Sequence, residues 1–204
     1  FTRRLTPWKG LDYCIGKLYE RKQLRMRNRV LKYAQAVTSV SPWHRQLLAQ
    51  YNTNTQLIFN GYDEQVFVPK DVKSEVFQIA YLGKLYSTKL RDPRLLFAAL
   101  QELLAEGQIA VNELRVLFHV DEKGKEQLTE LAEECQISPV VAIQGYVPRK
   151  ESVEVMHLSS ILLVLTTKST EDGTHGIMGT KFFENMGVEK PVLCVRSDEE
   201  CLAQ

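Results

Sequence analysis

The residue types best suited to chemistry cluster in a glycine-rich segment and in the helix predicted to follow it. Residues 171–179 contain three glycines, and glycine lets a backbone approach a ligand closely. The predicted helix begins at Thr180, and a helix N-terminus offers unpaired N–H groups and a positive dipole end to an anion. Glu184 follows about one turn later. Amides for a pyrophosphate and a carboxylate for a ribose diol indicate a nucleoside diphosphate site, although a surface loop without a ligand can have the same composition.

Two other polar segments directly follow predicted strands. Residues 83–89 carry Lys84 and Lys89, and residues 145–147 follow a later strand. In a parallel sheet, ligands bind beyond the carboxyl ends of the strands. Both lysines and the helix N-terminus therefore indicate a cationic pocket, which would stabilise a diphosphate leaving group as its charge develops. The alternative for each lysine is an ordinary solvated surface charge.

The elements that must position these residues alternate between strands and helices. Continuous apolar strands that alternate with helices predict an α/β fold, a Rossmann-like parallel sheet with helices on both faces. The predicted strands are residues 36–40, 56–59, 76–82, 113–120, 140–143, 161–166 and 191–195. The predicted helices are residues 11–37, 42–51, 93–106, 123–135 and 151–158, with a further one from Thr180.

Helical periodicity also predicts which side chains lie inward. The helix at 93–106 places Leu95, Leu96, Ala99, Leu100 and Leu103 on one side. The helix at 123–135 turns Leu128, Leu131 and Ala132 inward. Ser41 followed by Pro42 predicts an N-cap and a proline at the first helical position.

The charge distribution divides the chain into two parts. The net charge is +1, yet residues 1–62 contain eleven Lys and Arg against two acids, while residues 63–204 contain 15 basic and 23 acidic side chains. Residues 62–75, which include Pro69, show no periodicity and are predicted to be the linker. Two units with different surfaces follow from this split.

Composition narrows the class of protein further. With 44% apolar residues the chain is an ordinary globular sequence. It contains no run of 18 apolar residues and no signal-peptide apolar core after Phe1. Its four cysteines are scattered without a C-x-x-C pair, which favours reduced thiols in a cytosolic protein, with disulfide pairing as the alternative.

Five short motifs, in order, resemble the GT-B-fold retaining glycosyltransferases of family 4. Residues 37–41 (VTSVS) resemble the late part of the family's N-terminal domain, and residues 58–67 its NG-x-D…F hinge. Residues 81–89 resemble its G-R-L…K donor-phosphate loop, and residues 145–147 its nucleotide-edge turn. Residues 181–192 resemble K-x-x-E-x-x-x-x-G-K-P. Two departures stand out: Lys84 replaces the usual Arg, and Gly176 stands where the family has a first glutamate.

The resemblance implies a role for each matched position. The donor diphosphate would be held by Lys84 and Lys89, the residues assigned to catalysis, and Glu184 would bind the ribose hydroxyls. Tyr146 and Val147 would border the base. The remaining substrate contacts would be backbone contacts from Gly83, Gly176, Gly179, Thr180 and Lys181. The resemblance implies no metal and no cofactor apart from the nucleotide-sugar donor.

The activity implied by the resemblance is that of a hexosyltransferase-type enzyme, which moves a sugar from a nucleotide-diphosphate donor to a hydroxyl of a glycan or lipid-linked acceptor. The configuration at the anomeric carbon would be retained, and the product would belong to a surface polysaccharide or glycolipid. Residues 1–68 would be the end of the acceptor-side domain and its hinge, and residues 69–204 an incomplete nucleotide-sugar-binding domain. The chain would then be a fragment that binds nucleotide but is inactive alone. A non-catalytic partner subunit of the same fold and a sugar-nucleotide epimerase are the alternatives.

A basic stretch in the first predicted helix indicates how the protein meets its surroundings. It contains Arg21, Lys22, Arg25, Arg27, Arg29 and Lys32. These side chains fit a solvated helix face, peripheral contact with the anionic inner face of a membrane, or nucleic-acid binding. The stretch lacks the aromatic stacking pattern of nucleic-acid readers, so we expect no nucleic-acid partner and a cytoplasmic protein, with membrane contact as the alternative to a solvated face.

Overall fold

The fold is described from a computed structural model, for residues 11–88, 90–166 and 179–195. The chain divides into two compact units between Phe59 and Asn60. Among the described helices, none has both the length and the apolar character needed to cross a membrane.

The first unit contains two helices and a two-stranded sheet. Helix α1 spans Leu11–Tyr33, strand β1 Val37–Ser39, helix α2 Pro42–Ala49 and strand β2 Thr55–Leu57. The two strands pair in parallel, with Val37 opposite Thr55. Ser41 caps α2 as predicted, because its hydroxyl accepts a hydrogen bond of 3.2 Å from the His44 N–H and Pro42 occupies the first helical position.

Helix α1 ends earlier than the periodicity predicted. The Asn52 amide donates hydrogen bonds of 2.8 Å to the carbonyls of Leu31 and Ala34, which satisfies backbone groups that the helix end leaves unpaired. Its apolar stripe is exposed at Ile15, Leu18, Tyr19, Met26, Val30 and Tyr33. The stripe that identified the helix therefore lies at the surface in this structure.

The second unit is built on a five-stranded parallel sheet. The strands are β3 (Phe77–Leu82), β4 (Leu114–His119), β5 (Val141–Gln144), β6 (Ile161–Leu165) and β7 (Val192–Val195). The helices are α3 (Arg94–Ala105), α4 (Glu122–Glu134), α5 (Arg149–Leu158) and α6 (Thr180–Gly187). The order across the sheet is β5-β4-β3-β6-β7, with every ladder parallel. The predicted alternation and parallel sheet are confirmed.

Each face of this sheet carries its own core. Strand β4 alternates, so Val116 and Phe118 pack in one core with α3 and α4 while Leu117 packs in the other. The second core contains Phe67, Met156 of α5 and Val188 just after α6. His119, the last residue of β4, follows Leu117 on that second face.

The inward face of α3 differs from the predicted one. Leu96 and Leu100 are buried as predicted, but Leu95 is 60% exposed and Ala99 is exposed, whereas Phe97 is fully buried. Phe97 packs edge-on against Phe118, with ring centroids 5.9 Å apart. The large aromatic ring therefore determines how the helix is rotated, which a pattern of aliphatic residues alone did not show. In α4, the predicted burial of Leu128, Leu131 and Ala132 is confirmed.

The segment predicted to be a linker packs on the second unit. Phe67 is 2% exposed within its core. The Val68 carbonyl accepts a 2.8 Å hydrogen bond from His157 Nε2, and the Val72 carbonyl accepts one of 3.1 Å from Lys190 Nζ. The compact units thus divide at residue 59, ahead of the predicted boundary after residue 68. The functional assignment of the two domains stays a prediction.

Candidate active site

A cavity of ≈ 440 Å³ opens at the carboxyl edge of the parallel sheet. Its floor includes Phe67 and Leu82, and its walls come from loops and from helices α5 and α6. The lining residues that carry polar groups or follow a strand are Gly83, Lys84, His119, Tyr146, Val147, Arg149, Ser152, Lys181 and Glu184. The residue types gathered here suit a ligand that is anionic at one end and has an apolar face.

Strand register explains why these residues meet. Leu82 at the end of β3 lies opposite His119, and His119 lies opposite Gln144 at the end of β5. The segments that follow β3 and β5 therefore leave the sheet on either side of His119. The sequence predicted this convergence of strand ends, and the structure shows it.

A hydrogen-bond network holds the backbone at Lys84. The Tyr81 hydroxyl donates to the Lys84 carbonyl over 3.1 Å, and Arg91 Nη1 donates to the same carbonyl over 3.0 Å and to the Tyr81 hydroxyl over 2.9 Å. Burial raises the pKa of Tyr81 above its ordinary value of 10.0, and the nearby Arg91 charge opposes this rise. The Tyr81 hydroxyl therefore remains a donor at neutral pH.

The Lys84 side chain itself is exposed and lies over an aromatic ring. Its ammonium is 5.3 Å from the centroid of Tyr86, and the Arg91 guanidinium lies 5.0 Å from the same ring. Tyr86 has φ of +62°, a left-handed conformation that is uncommon for a bulky residue. The contacts that hold this loop use the Lys84 carbonyl and leave its ammonium at the edge of the cavity.

Helix α6 contributes an ion pair and an uncapped N-terminus. Lys181 Nζ lies 2.7 Å from Glu184 Oε2, so the two side chains form an ion pair in which the buried carboxylate oxygen faces the ammonium. The Glu184 side chain is 17% exposed. Gly179 is the N-cap, and no side chain in the described part of the chain caps the helix. The sequence did not predict that Lys181 would neutralise Glu184.

His119 is the residue that sequence reasoning missed most clearly. It is 3% exposed, and its Nδ1 lies 2.9 Å from the Gly145 carbonyl oxygen. Its Nε2 is buried with no partner among the described residues. The available signal was a polar side chain that directly follows the apolar residues 116–118, near the end of the predicted strand 113–120.

Arg149 is a second missed residue. It is the first residue of α5 and lines the cavity, and its guanidinium lies 5.2 Å from the centroid of the Phe67 ring. Stacking on an aromatic face is a favourable position for Arg. Its place directly after Pro148, between a predicted strand and the predicted helix at 151–158, was the signal in the sequence.

The structure brings most of the predicted residues together. Gly83, Lys84, Tyr146, Val147, Lys181 and Glu184 line the one cavity. Gly179 and Thr180 are exposed at the start of α6 and do not belong to its lining. Lys89 and Gly176 lie outside the described residues. Within the described ranges, no three His, Cys, Asp or Glu side chains are placed to hold a metal ion. The ligand roles assigned to these residues stay predictions.

Solved structures resemble this chain, whereas no protein-family model and no curated protein matches it. A glycosyltransferase from Rickettsia africae ESF-5 has a TM-score of 0.62 at 16% identity, over 82% of this chain and 47% of its own. HepE of Anabaena, in complex with UDP and glucose, has a TM-score of 0.58 at 16% identity, over 84% and 47%. Sucrose-phosphate synthase from Thermosynechococcus elongatus has a TM-score of 0.58 at 17% identity, over 85% and 44%.

These similarities define the class of fold. The chain has an α/β fold in which a parallel five-stranded sheet is flanked by helices, as in the GT-B glycosyltransferases. This confirms the predicted fold class. The chain spans less than half the length of each of these three proteins, and at such identities the similarity concerns the fold alone.

Proposed function

We propose that this chain is part of a glycosyltransferase that takes a sugar from a nucleoside-diphosphate donor and transfers it to a hydroxyl acceptor. The observation that carries the proposal is the cavity at the sheet edge, where Lys84, Lys181 and Glu184 come together beside the N-terminus of α6. The glycosyltransferase neighbours, one of them solved with UDP and glucose, support the same class of donor.

The chemistry proposed for these groups is neutralisation of a leaving group. As the bond between sugar and diphosphate breaks, negative charge grows on the diphosphate, and Lys84 with the N–H groups at the start of α6 would stabilise it. Glu184 would accept hydrogen bonds from the ribose hydroxyls, because its carboxylate, an acceptor of hydrogen bonds, lines the cavity in an ion pair with the Lys181 ammonium 2.7 Å away. Tyr146 and Val147 would border the base. Lys89 and Gly176, outside the described residues, would complete the donor site.

The finer parts of the proposal rest on the sequence motifs. We propose retention at the anomeric carbon, a hexosyl donor, metal-independent transfer, and an acceptor that is a glycan or a lipid-linked saccharide of a cell-surface polymer or glycolipid. The motifs at residues 81–89 and 181–192 support family 4. The acceptor side would be formed outside the described second unit.

Calorimetric titration with UDP, GDP, ADP and CMP tests the donor site. We expect selective binding of one nucleotide, weakened at least about tenfold in Glu184→Ala because a hydrogen bond to a charged group is lost. Glu130→Ala, which removes an exposed carboxylate on α4, is the matched control and leaves binding unchanged. Absence of binding by all four nucleotides, or equal binding by both variants, would contradict the donor-site assignment.

We also propose peripheral membrane contact through the basic stretch of α1, at the cytoplasmic face. Exposed Leu18, Met26 and Val30 lie on the helix that carries residues 21–32 with their six cations. Each cation near an anionic surface contributes about 1 kcal/mol. The protein should pellet with phosphatidylserine-containing vesicles. A variant with both Arg25→Gln and Arg29→Gln should no longer pellet with them. A control variant that instead lacks the charges of Arg115 and Lys123 loses the same net charge outside α1. If both variants lose vesicle binding equally, a specific contact through α1 is excluded.

A further inference from the structure

The buried His119 uses one ring nitrogen in a hydrogen bond, whereas the other has no partner among the described residues. A carbonyl oxygen only accepts hydrogen bonds, so the 2.9 Å contact with Gly145 requires the proton of the neutral ring to be on Nδ1. Nε2 is then a bare acceptor. It is buried in a residue that is 3% exposed, it has no partner among the described residues, and the residue lines the cavity.

A buried acceptor is costly unless water or a ligand donates a hydrogen bond to it, so a ligand that carries a donor is favoured at Nε2. The same register that places His119 opposite Leu82 and Gln144 puts it between the two loops that form the cavity walls. The ligand group that reaches Nε2 must therefore carry an N–H or O–H. The diphosphate of a nucleotide offers only acceptors at neutral pH, which leaves the base and the ribose.

The position of His119 within the cavity favours the base. Its partner Gly145 directly precedes Tyr146 and Val147, which line the same cavity with Phe67 and Leu82 and supply the apolar and aromatic contacts that a planar base requires. The carboxylate suited to a diol, Glu184, lies on α6 instead. The exposed cation Lys84 is the lining group suited to phosphate, since Lys181 is paired with Glu184.

We propose that His119 is a specificity-determining residue of this site: its Nε2 accepts a hydrogen bond from an N–H group of the nucleobase. This inference rests on the proposed nucleotide-sugar function and adds a base-reading contact to it. The backbone at Gly145 sets the tautomer that makes the reading possible, because it holds the proton on Nδ1.

Two substitutions separate the two ring nitrogens. His119→Asn retains a donor for the Gly145 carbonyl and removes the group at Nε2, whereas His119→Gln places an amide, which can accept, at the depth of Nε2. Binding is measured by calorimetry with three ligands. The first is UDP, or whichever of GDP, ADP and CMP binds more tightly; the second is the 2′,3′-dideoxy form of that nucleotide; the third is inorganic diphosphate. Thermal unfolding of each variant establishes that it is folded.

We expect His119→Asn to weaken the nucleotide and its dideoxy form equally, by about tenfold, and to leave inorganic diphosphate unchanged, with His119→Gln close to the original protein. A loss confined to the nucleotide with ribose hydroxyls would assign Nε2 to the ribose, and a loss for inorganic diphosphate would assign it to phosphate. Either result overturns the proposal.

A measurement on the unmodified protein covers the case in which His119→Asn does not fold. The imidazole ¹⁵N spectrum should show Nε2 of His119 unprotonated and shifted on addition of UDP, with no shift on addition of inorganic diphosphate. An unprotonated Nδ1, or an Nε2 signal unmoved at saturating UDP, overturns the proposal. If the protein binds nucleotide and the His119 variants bind it equally well, only this inference is overturned. If the protein binds no nucleotide at all, the proposed function is overturned as well.

Discussion

The ring of Tyr62 lies directly against Gly187, the last residue of α6. A methyl group built on Gly187 would be 2.5 Å from Tyr62 Cδ2 and 2.7 Å from its Cε2, closer than packed atoms tolerate. Tyr62 thus fixes one end of the helix that carries Lys181 and Glu184. The resemblance matched both residues to separate motifs, and the structure shows that these two motifs are in contact.

Gly187→Ala should destabilise the protein because of this contact. Alanine favours a helix over glycine by about 1 kcal/mol, but overpacking against the ring costs about 1–3 kcal/mol, so we expect a net loss. In a Tyr62→Ala background the same change should become neutral or stabilising. Urea unfolding of the four proteins of this cycle gives the coupling free energy, and a Gly187→Ala effect of the same sign in both backgrounds would show that Tyr62 is not the obstacle.

The sheet could be predicted because its strands are short, continuous apolar runs separated by turn and helix signals. Residues 161–165 are all apolar, and residues 116–118 form an apolar run within the predicted strand 113–120, which is typical of strands covered on both faces. The bounds of β4 and β6 agree with these predictions to within one residue at each end. The rotation of α3 could not be predicted because one buried ring, Phe97, decides it through contact with Phe118.

The site was predictable only in part, for a related reason. Residues after strands, such as Lys84 and Tyr146, could be assigned to one edge from the topology of parallel sheets. The pairing of Lys181 with Glu184 depends on side-chain geometry, and so does the lack of a described hydrogen-bond partner at His119 Nε2. A linear sequence shows neither, because both arise from the directions in which neighbouring side chains point.

Tyr81→Phe should alter stability in a pH-dependent way. Because burial raises the Tyr81 pKa above 10.0, the folded protein holds this proton more tightly than the unfolded chain. The stabilisation is therefore fully present below pH 10 and is lost as pH rises through the folded pKa. Removing the hydroxyl costs about 1 kcal/mol at pH 7, since its hydrogen bonds to Lys84 and Arg91 are lost.

The measurement is urea unfolding of both proteins from pH 7 to pH 11. The difference in unfolding free energy between the original protein and Tyr81→Phe should narrow above pH 10, because only the former loses the stabilisation from this proton. Tyr19→Phe, which removes a hydroxyl at an exposed site on α1, is the matched control for the effect of the substitution itself. A constant difference across the whole range would contradict the assignment.

Lys84→Met should weaken diphosphate binding without affecting the fold. The contacts that hold this loop use the Lys84 carbonyl, and the ammonium is exposed over Tyr86. We expect the unfolding temperature to stay within about 2 °C, because a surface substitution changes the free energy of unfolding by no more than about 0.5 kcal/mol. Removing a charge-assisted contact should cost about 2 kcal/mol in binding UDP.

Comparison of UDP with UMP makes this test specific for the second phosphate. If Lys84 contacts that phosphate, Lys84→Met lowers UDP affinity and leaves UMP affinity nearly unchanged. Lys123→Met, at an exposed position of α4, removes the same charge away from the cavity and controls for long-range electrostatics. Equal losses of affinity for UDP and UMP would show that the Lys84 ammonium does not contact the second phosphate.

Gly179→Asp should move stability and ligand binding in opposite directions. Gly179 is the N-cap of α6, with φ of −68° and ψ of 151°, and a Cβ there meets no described atom within 4 Å. Aspartate is a preferred N-cap whose carboxylate accepts hydrogen bonds from the first turn, so the unfolding free energy should rise by about 1 kcal/mol. The same carboxylate would occupy the position proposed for phosphate and would repel the phosphate charge. Binding of UDP should therefore fall at least about a hundredfold, because anion-binding amides are lost and like charges repel.

The control is Gly179→Asn, which caps the helix without adding a charge. It should raise the unfolding free energy by a similar amount and weaken UDP binding less. Calorimetry and urea unfolding measure the two effects, and an Asp variant that is more stable yet binds UDP as tightly as the original protein would exclude the N-terminus of α6 as the phosphate site.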